Sequence, residues 1–409
     1  MSLLRLRVIL ASLLFTLAPQ HASAQVLYGS LTGNVTDPTG AAVPNVKVEA
    51  VNSGTGVMRS VTTDATGTYN FNDLQPGAYR VTLTAASFRT VVQEGVQILP
   101  NSVRRSDVQL DVAQVSESIT VAGSTTVLQT DRADVNNQVQ GSQITNLPFT
   151  GNAGRNWQAL YKLIPGFAPP AELHSDAGNP QRALGVNVNG ASRSNNNTRL
   201  DGATVSYPWL PHIVAYVPPA DAVETVNIVS NSFDAEQGMA GGSAINVQIK
   251  SGTNEFHGTA HWFHTNSSVR ARNFFFVAPQ IPKNILNQAG GTIGGPIVKN
   301  KLFFFADFER TVRRESRSAF RTVPTAGIRG GSFAGTGSSI FDPLTGAADG
   351  SGRQLFPNQL IPTSRIDSAA AAMAALTPAA NLNTFPANYL ALGSYAFNRD
   401  NADFKVNYN

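Results

Sequence analysis

The strongest constraint on this chain lies in its first residues. Arg5 and Arg7 precede an apolar run from Val8 to Ala18, and Ala22-Ser23-Ala24 ends the segment before Gln25. A charged start, a short apolar middle and an A-x-A end read as a secretory signal peptide over residues 1–24. No later stretch reaches the roughly 18 continuous apolar residues of a membrane helix. If this exported chain stays in a membrane, it does so as a β-barrel, because lipid offers no partner to an unpaired backbone N–H or C=O.

Strands are what the rest of the composition favours. Charged residues make up 14% of the chain, against roughly 25% in an average globular domain. With 35 Gly and 23 Pro, turns and extended segments are expected over helices, apart from the Ala-rich stretch 368–376. The absence of cysteine removes disulfides, thiolate catalysis and Cys-ligated metal sites together. Net charge is +4, and no long basic run with interleaved aromatics is present, which argues against nucleic-acid binding. One basic cluster, Arg310, Arg313, Arg314, Arg317 and Arg321, is interrupted by Glu309 and Glu315 and reads as a solvated or saccharide-facing surface. No nucleophile elbow, phosphate loop, zinc-helix motif or calcium loop occurs, so no enzyme, cofactor or metal is expected.

Residues 28–112 have the grammar of a small β-sandwich. Short alternating runs such as Val46-Lys47-Val48-Glu49-Ala50 and Tyr79-Arg80-Val81-Thr82-Leu83 are separated by Asp37-Pro38-Thr39-Gly40, Asp64-Ala65-Thr66-Gly67 and Gln75-Pro76-Gly77. The segments Gly33-Asn34-Val35-Thr36-Asp37, Val43-Pro44-Asn45-Val46 and Thr63-Asp64-Ala65-Thr66-Gly67-Thr68-Tyr69, with Leu74-Gln75-Pro76-Gly77-Ala78-Tyr79, resemble the carboxypeptidase regulatory-like domain. That resemblance implies a transthyretin-like, carbohydrate-binding-like sandwich over residues 25–113, without peptidase chemistry. Tyr28, Tyr69 and Tyr79 are either sugar-stacking groups or core residues.

A linker, residues 114–130, holds Glu117-Ser118-Ile119-Thr120-Val121, a β-branched segment able to add as a strand to a partner's sheet. It resembles the TonB box, through which a periplasmic energiser pulls on its receptor. A first strand of the next domain and a last strand of the sandwich are the alternatives.

Residues 131–254 resemble the plug of TonB-dependent outer-membrane receptors. The match rests on Gly154-Arg155-Asn156-Trp157-Gln158-Ala159-Leu160, Val188-Asn189-Gly190, Leu200-Asp201-Gly202, Asp221-Ala222-Val223-Glu224-Thr225-Val226 and Gly241-Gly242-Ser243-Ala244-Ile245-Asn246-Val247. Trp157, Leu160 and Leu163-Ile164 lie at helical spacing, while Val226-Asn227-Ile228 and Ile245-Asn246-Val247-Gln248-Ile249 alternate as half-buried strands. Asp221, Glu224, Asp234 and Glu236 suggest either a carboxylate site or salt bridges to plug or wall arginines.

From residue 255 the pattern becomes that of barrel strands. Phe256, Ala260 and Trp262 alternate with His257, Thr259 and His261, and Phe304, Ala306 and Phe308 with Asp307, Glu309 and Thr311. His257, Thr259, His261, Asp307 and Glu309 are thereby predicted to face the lumen. A short turn at Lys299-Asn300-Lys301 and a long irregular stretch, roughly 322–392, fit short periplasmic turns and long outer loops. The run from Gly291 to Glu309 resembles the Oar-like branch of these receptors. A plugged barrel has about 22 strands of ~10 residues, so residues 255–409 are expected to supply about four of them, an incomplete barrel.

The fold expected is mainly β: a sandwich, an α+β plug and the first barrel strands. The resemblance implies a TonB-dependent receptor of a Gram-negative outer membrane, surrounded by outer-membrane lipid, that takes up an unidentified nutrient, an oligosaccharide among the candidates. The alternative is a cell-surface adhesion or carbohydrate-binding protein using the sandwich.

Overall fold

A computed structural model describes residues 28–112, 118–122, 133–147, 154–175, 177–233, 237–271 and 281–409. The export segment, Glu117, Asp234 and Glu236 lie outside the described residues. The chain divides into two compact units. One takes the described residues up to Phe263 with 287–311 and 398–409, the other residues 264–286 and 312–397.

Nine strands build the first domain: β1 (Gly29–Thr36), β2 (Lys47–Asn52), β3 (Met58–Thr62), β4 (Thr68–Leu74), β5 (Gly77–Thr84), β6 (Thr90–Ile98), β7 (Val103–Arg105), β8 (Val108–Gln109) and β9 (Ser118–Ala122). One sheet runs β4-β1-β7 with β8 also on β1, the other β3-β2-β5-β6-β9. Alternation drives the packing: every second residue of β1 is buried, and Leu31, Val35, Val48, Ala50, Val81 and Leu83 are fully enclosed between the sheets. Asp64 holds its turn by accepting from the Thr66 and Thr68 amides at 2.8 and 2.9 Å, and Asp37 does the same for Thr39 and Ala41, both at 2.9 Å. These bonds, led by those from the Thr66 and Thr39 hydroxyls, hold both carboxyls below their ordinary range. Tyr69 and Tyr79 belong to the core, at 1% and 3% exposure, with hydroxyls donating to the Ser106 and Gln75 carbonyls at 2.6 and 2.8 Å. Neither ring is available to stack on a sugar, and Tyr28 alone of the three is exposed. Gly33 is required beneath Tyr69, since a Cβ there would stand 2.0 Å from the Ser106 carbonyl oxygen.

The central domain holds β10 (Val135–Gln140), α1 (Gly141–Asn146), β11 (Ala171–Glu172), β12 (Leu184–Gly185), β13 (Asn196–Leu200), β14 (Ala203–Thr204), β15 (Ser206–Tyr207), β16 (Leu210–Val214), β17 (Val223–Asn231) and β18 (Ser243–Ile249). Its main sheet runs β10-β17-β18-β13-β14, antiparallel except for the parallel β13–β18 pair. The helix expected at Trp157 is a 3-10 helix, Trp157–Leu163, whose start is closed by the Asn156 side chain accepting from the Gln158 amide. Trp157, Leu160, Tyr161 and Ile164 enter the core, whereas Leu163 is exposed.

β17 and β18 depart from the half-buried expectation, because both of their faces are covered. Asn227 and Asn246 are almost wholly enclosed, and their amides donate to the Pro100 carbonyl at 2.9 Å and to Gln237 Oε1 at 3.2 Å. Polar alternation here marks a second packed face, because hydrogen-bonded amides tolerate burial.

β19 (His257–Asn266), β20 (Asn284–Val298), β21 (Leu302–Arg321) and β22 (Tyr389–Tyr408) pair in that order as a meander. Asn300, at φ 60°, makes the tight turn between β20 and β21, and its amide donates to Asn254 Oδ1 at 2.8 Å. Between β21 and β22 lie α2 (Ala326–Arg329) and α3 (Ser368–Leu376). β22 begins at Tyr389, so the irregular stretch ends earlier than its sequence suggested. Arg365 makes a bidentate pair with Asp342 at 2.5 and 2.7 Å, joining two segments far apart in the sequence. That guanidinium, chiefly, lowers the Asp342 carboxyl to about 2.

Candidate functional site

Polar side chains of β19, β20 and β22 meet the central domain, and Glu309 of β21 ties those strands to one another. Asp221 sits in a 3-10 turn, Ala220–Ala222, that follows Pro218-Pro219 and leads into β17. Its carboxylate meets the Arg155 guanidinium at 2.5 Å, and both side chains are only 11% exposed. Arg155 also stacks on Phe263 at 4.1 Å, and its amide donates to Gln288 Oε1 of β20 at 2.9 Å. Gln288 Nε2 in turn donates to Glu309 Oε1 of β21 at 2.7 Å. His261 of β19 bridges the two carboxylates, with Nδ1 3.5 Å from Asp221 and Nε2 3.4 Å from Glu309. β22 closes the set: Arg399 lies 3.7 Å from Glu309 and donates to the Gln181 carbonyl at 2.8 Å.

Further along β22, Asn401 donates to the Val217 carbonyl at 2.9 Å and Asp403 accepts from the Tyr216 hydroxyl at 2.7 Å. Lys405 reaches the Ile249 carbonyl at 3.0 Å and Asp201 at 3.1 Å. Two carboxylates and two guanidiniums thus face each other where water is largely excluded, so losing one leaves its partner as an uncompensated buried charge. Chemically the arrangement is a lock built on the Arg155–Asp221 pair and the Gln288 hydrogen bonds, in which both His261 ring nitrogens and Glu309 Oε2 have no hydrogen-bond partner. It offers no nucleophile–base pair, and among the described residues no three His, Asp or Glu side chains group as metal ligands.

Of the residues predicted to face the lumen, the structure brings His261 and Glu309 into this cluster and buries Asp307 beside it, near Asp403. His257 and Thr259 stand at exposed positions on β19; His257 Nδ1 lies 3.1 Å from the Glu255 carbonyl and Thr259 pairs with the Thr292 hydroxyl at 2.9 Å. Asp221 pairs with an arginine, as the salt-bridge expectation had it, while Glu224 is exposed. Arg155 carried only its place in the plug-like segment Gly154–Leu160, and Gln288 and Tyr216 were not singled out as site residues. Arg399, Asn401, Asp403 and Lys405 did carry one, a polar run at period two, which marks the inward face of a strand. Ser118, Ile119, Thr120 and Val121 lie in β9, the edge strand of the sandwich, paired in parallel with β6 from Thr90↔Ser118 to Glu94↔Ala122.

Comparison with known proteins assigns the two ends of the chain. Residues 248–409 match the outer membrane beta barrel domain, and residues 30–111 match the carboxypeptidase regulatory-like domain. The TonB-dependent transporter Oar of Myxococcus xanthus is 27% identical over 313 residues, covering 71% of this chain and 28% of that protein. Among solved structures, the siderophore receptor PirA from Acinetobacter baumannii matches 45% of this chain and 28% of its own at 16% identity and a TM-score of 0.31. The outer membrane transporter YddB from Escherichia coli matches 46% of this chain and 27% of its own at 16% identity and a TM-score of 0.36. The chain therefore spans under a third of these relatives' lengths. Residues 30–111 are a carboxypeptidase regulatory-like domain, and residues 248–409 belong to the outer membrane beta barrel domain family.

Proposed function

We propose that this chain works in an outer-membrane TonB-dependent transporter, with residues 131–254 as the plug and the strands from residue 255 as barrel wall. The observation that carries this reading is the polar lock: β19, β20 and β22 reach the central domain through His261 beside Asp221, Gln288 on the Arg155 amide, Asp403 on the Tyr216 hydroxyl and Lys405 on Asp201. Hydrogen-bonded charge pairs can separate and re-form against water, whereas an apolar seam of the same extent would resist wetting. A plug held in this way stays seated at rest and yields to a directed pull.

The pull is assigned to a periplasmic energiser acting on Glu117-Ser118-Ile119-Thr120-Val121. Among the described strands β9 lies at the edge of its sheet, the position at which a partner's strand would add. Export by the 1–24 segment and residence in the outer membrane belong to the same reading. The cargo is a nutrient whose identity rests with groups beyond this lock. Deleting residues 116–122 in cells should abolish energised uptake while leaving nutrient binding at the cell surface intact. Unchanged uptake would overturn the role given to this segment.

A further inference from the structure

Outside the lock, two histidines of the central domain meet tip to tip. His174 follows β11, and His212 lies on β16. Their Nε2 atoms are 2.8 Å apart, their ring centroids 5.1 Å apart, and the ring planes differ by 25°. The nitrogens are nearer than the centroids by the radii of both rings, so the imidazoles lie almost in one line and not face to face. In a neutral pair only one of the two Nε2 atoms carries a proton, and the other accepts it. At the far side of the second ring, His212 Nδ1 lies 3.4 Å from the Ser194 hydroxyl.

Both backbones are held. β11 pairs with β12, and the buried Arg182 guanidinium pairs with Glu172 and donates to the His174 carbonyl at 3.5 Å. On β16 the next two residues, Ile213 and Val214, are core. The imidazoles themselves are half-buried, so widening the gap between them asks only for side-chain rotation. Burial, and after it the charges of Arg193 and His174, lower the His212 pKa. The ring is therefore neutral at neutral pH, the form that binds a metal. The same Arg193 charge opposes any cation, so only a metal with a strong bond to nitrogen would stay.

Among divalent first-row ions copper binds such donors most strongly. Two opposed nitrogens also select it by geometry. Zinc arranges four ligands at tetrahedral angles, whereas copper(II) takes a square-planar or tetragonal set in which two nitrogens stand opposite each other. Among the described residues no third His, Asp or Glu joins the pair, so water completes the square. Metal–nitrogen bonds of about 2 Å place the nitrogens about 4 Å apart, so each ring withdraws by roughly half an ångström. We propose that His174 and His212 bind one copper(II) ion between their Nε2 atoms, with Ser194 Oγ accepting from His212 Nδ1–H. Both ring protons then sit on Nδ1, the shared one having exchanged through water, and no net proton leaves the neutral pair. The ion joins segments 38 positions apart, and its binding does not rest on the transporter reading above.

The test is isothermal titration of the full chain, without a histidine tag and in detergent micelles at neutral pH, with copper(II) chloride and with zinc chloride. Copper should bind one to one and at least tenfold tighter than zinc. Its electron paramagnetic resonance spectrum should be axial, with splitting from two nitrogens. His174→Gln and His212→Gln should each weaken copper binding at least tenfold, with circular dichroism checking that strand content is kept. His257→Gln, on β19, should change nothing. A plain imidazole–imidazole hydrogen bond, seen as no one-to-one copper binding to the wild-type chain, would overturn the proposal. So would wild-type copper affinity in His174→Gln/His212→Gln, zinc bound as tightly as copper, or an equal loss in His257→Gln. Uptake that survives deletion of 116–122 would count against the role of that segment and leave these outcomes untouched.

Discussion

The sandwich and the lock are held together by opposite means. The sandwich closes over aliphatic and aromatic side chains from two sheets, with polar groups on the outside and at the turns. The lock closes over Arg155, Asp221, His261, Gln288, Glu309 and Arg399, polar side chains joined by the Arg155–Asp221 ion pair and the hydrogen bonds of Gln288. Apolar packing is non-directional and tolerates small shifts, so it suits a domain that must persist. Paired charges are directional and lose much of their worth when one partner goes, so they suit a contact made to be broken.

Removing one partner should hurt the lock most. Asp221→Asn leaves Arg155 beside a neutral amide and should cost about 3–5 kcal/mol, read as a lower urea midpoint for the central domain. Arg155→Met combined with Asp221→Leu should recover much of that loss, because a packed apolar pair carries no stranded charge. If the double variant is worse than the single one, the lock owes its strength to geometry beyond charge matching.

Leu31→Ala in the sandwich should cost about 2–5 kcal/mol through lost transfer energy and a cavity, and no second substitution in the opposite sheet should rescue it by restoring charge balance. A similar loss confined to the sandwich transition, with the central domain's midpoint unmoved, would support two separately held regions.

The smallest effect is expected at the Asp342–Arg365 pair. A carboxyl held at about 2 when folded and near 4 when unfolded contributes stability that is present above pH 4 and lost as pH falls toward 2. Arg365→Gln should flatten that acid dependence while leaving neutral-pH strand content unchanged. An unaltered acid profile would mean that Leu344 and the local turn, not Arg365, hold the carboxyl down.

Much of the site was within reach of period-two reading, and the part that was not shows why. His261, Asp307 and Glu309 fall at inward positions because strand pleating sends alternate side chains to one face, and the same rule covers Arg399 to Lys405 on β22. His257 and Thr259 obey the parity as well, yet neither joins the lock, His257 lying beside Thr253 and the Glu255 carbonyl and Thr259 beside Thr292; parity gives a direction and not the partner at the end of it. Arg155 lies in a connecting segment without a period, so only the fold could bring it to Asp221, 66 positions away.

The sequence by itself determined the strands of the sandwich, its Asp–Gly turns, the tight turn at Asn300 and the alternation of the barrel strands. These follow from local steric preferences and from one wet face against one dry face. Only the tertiary structure decided that Tyr69 and Tyr79 are core, that Asn227 and Asn246 are buried, and which charge meets which. Burial on a second face depends on what arrives to cover it, and that is settled by residues distant in the chain, where propensity and period have no reach.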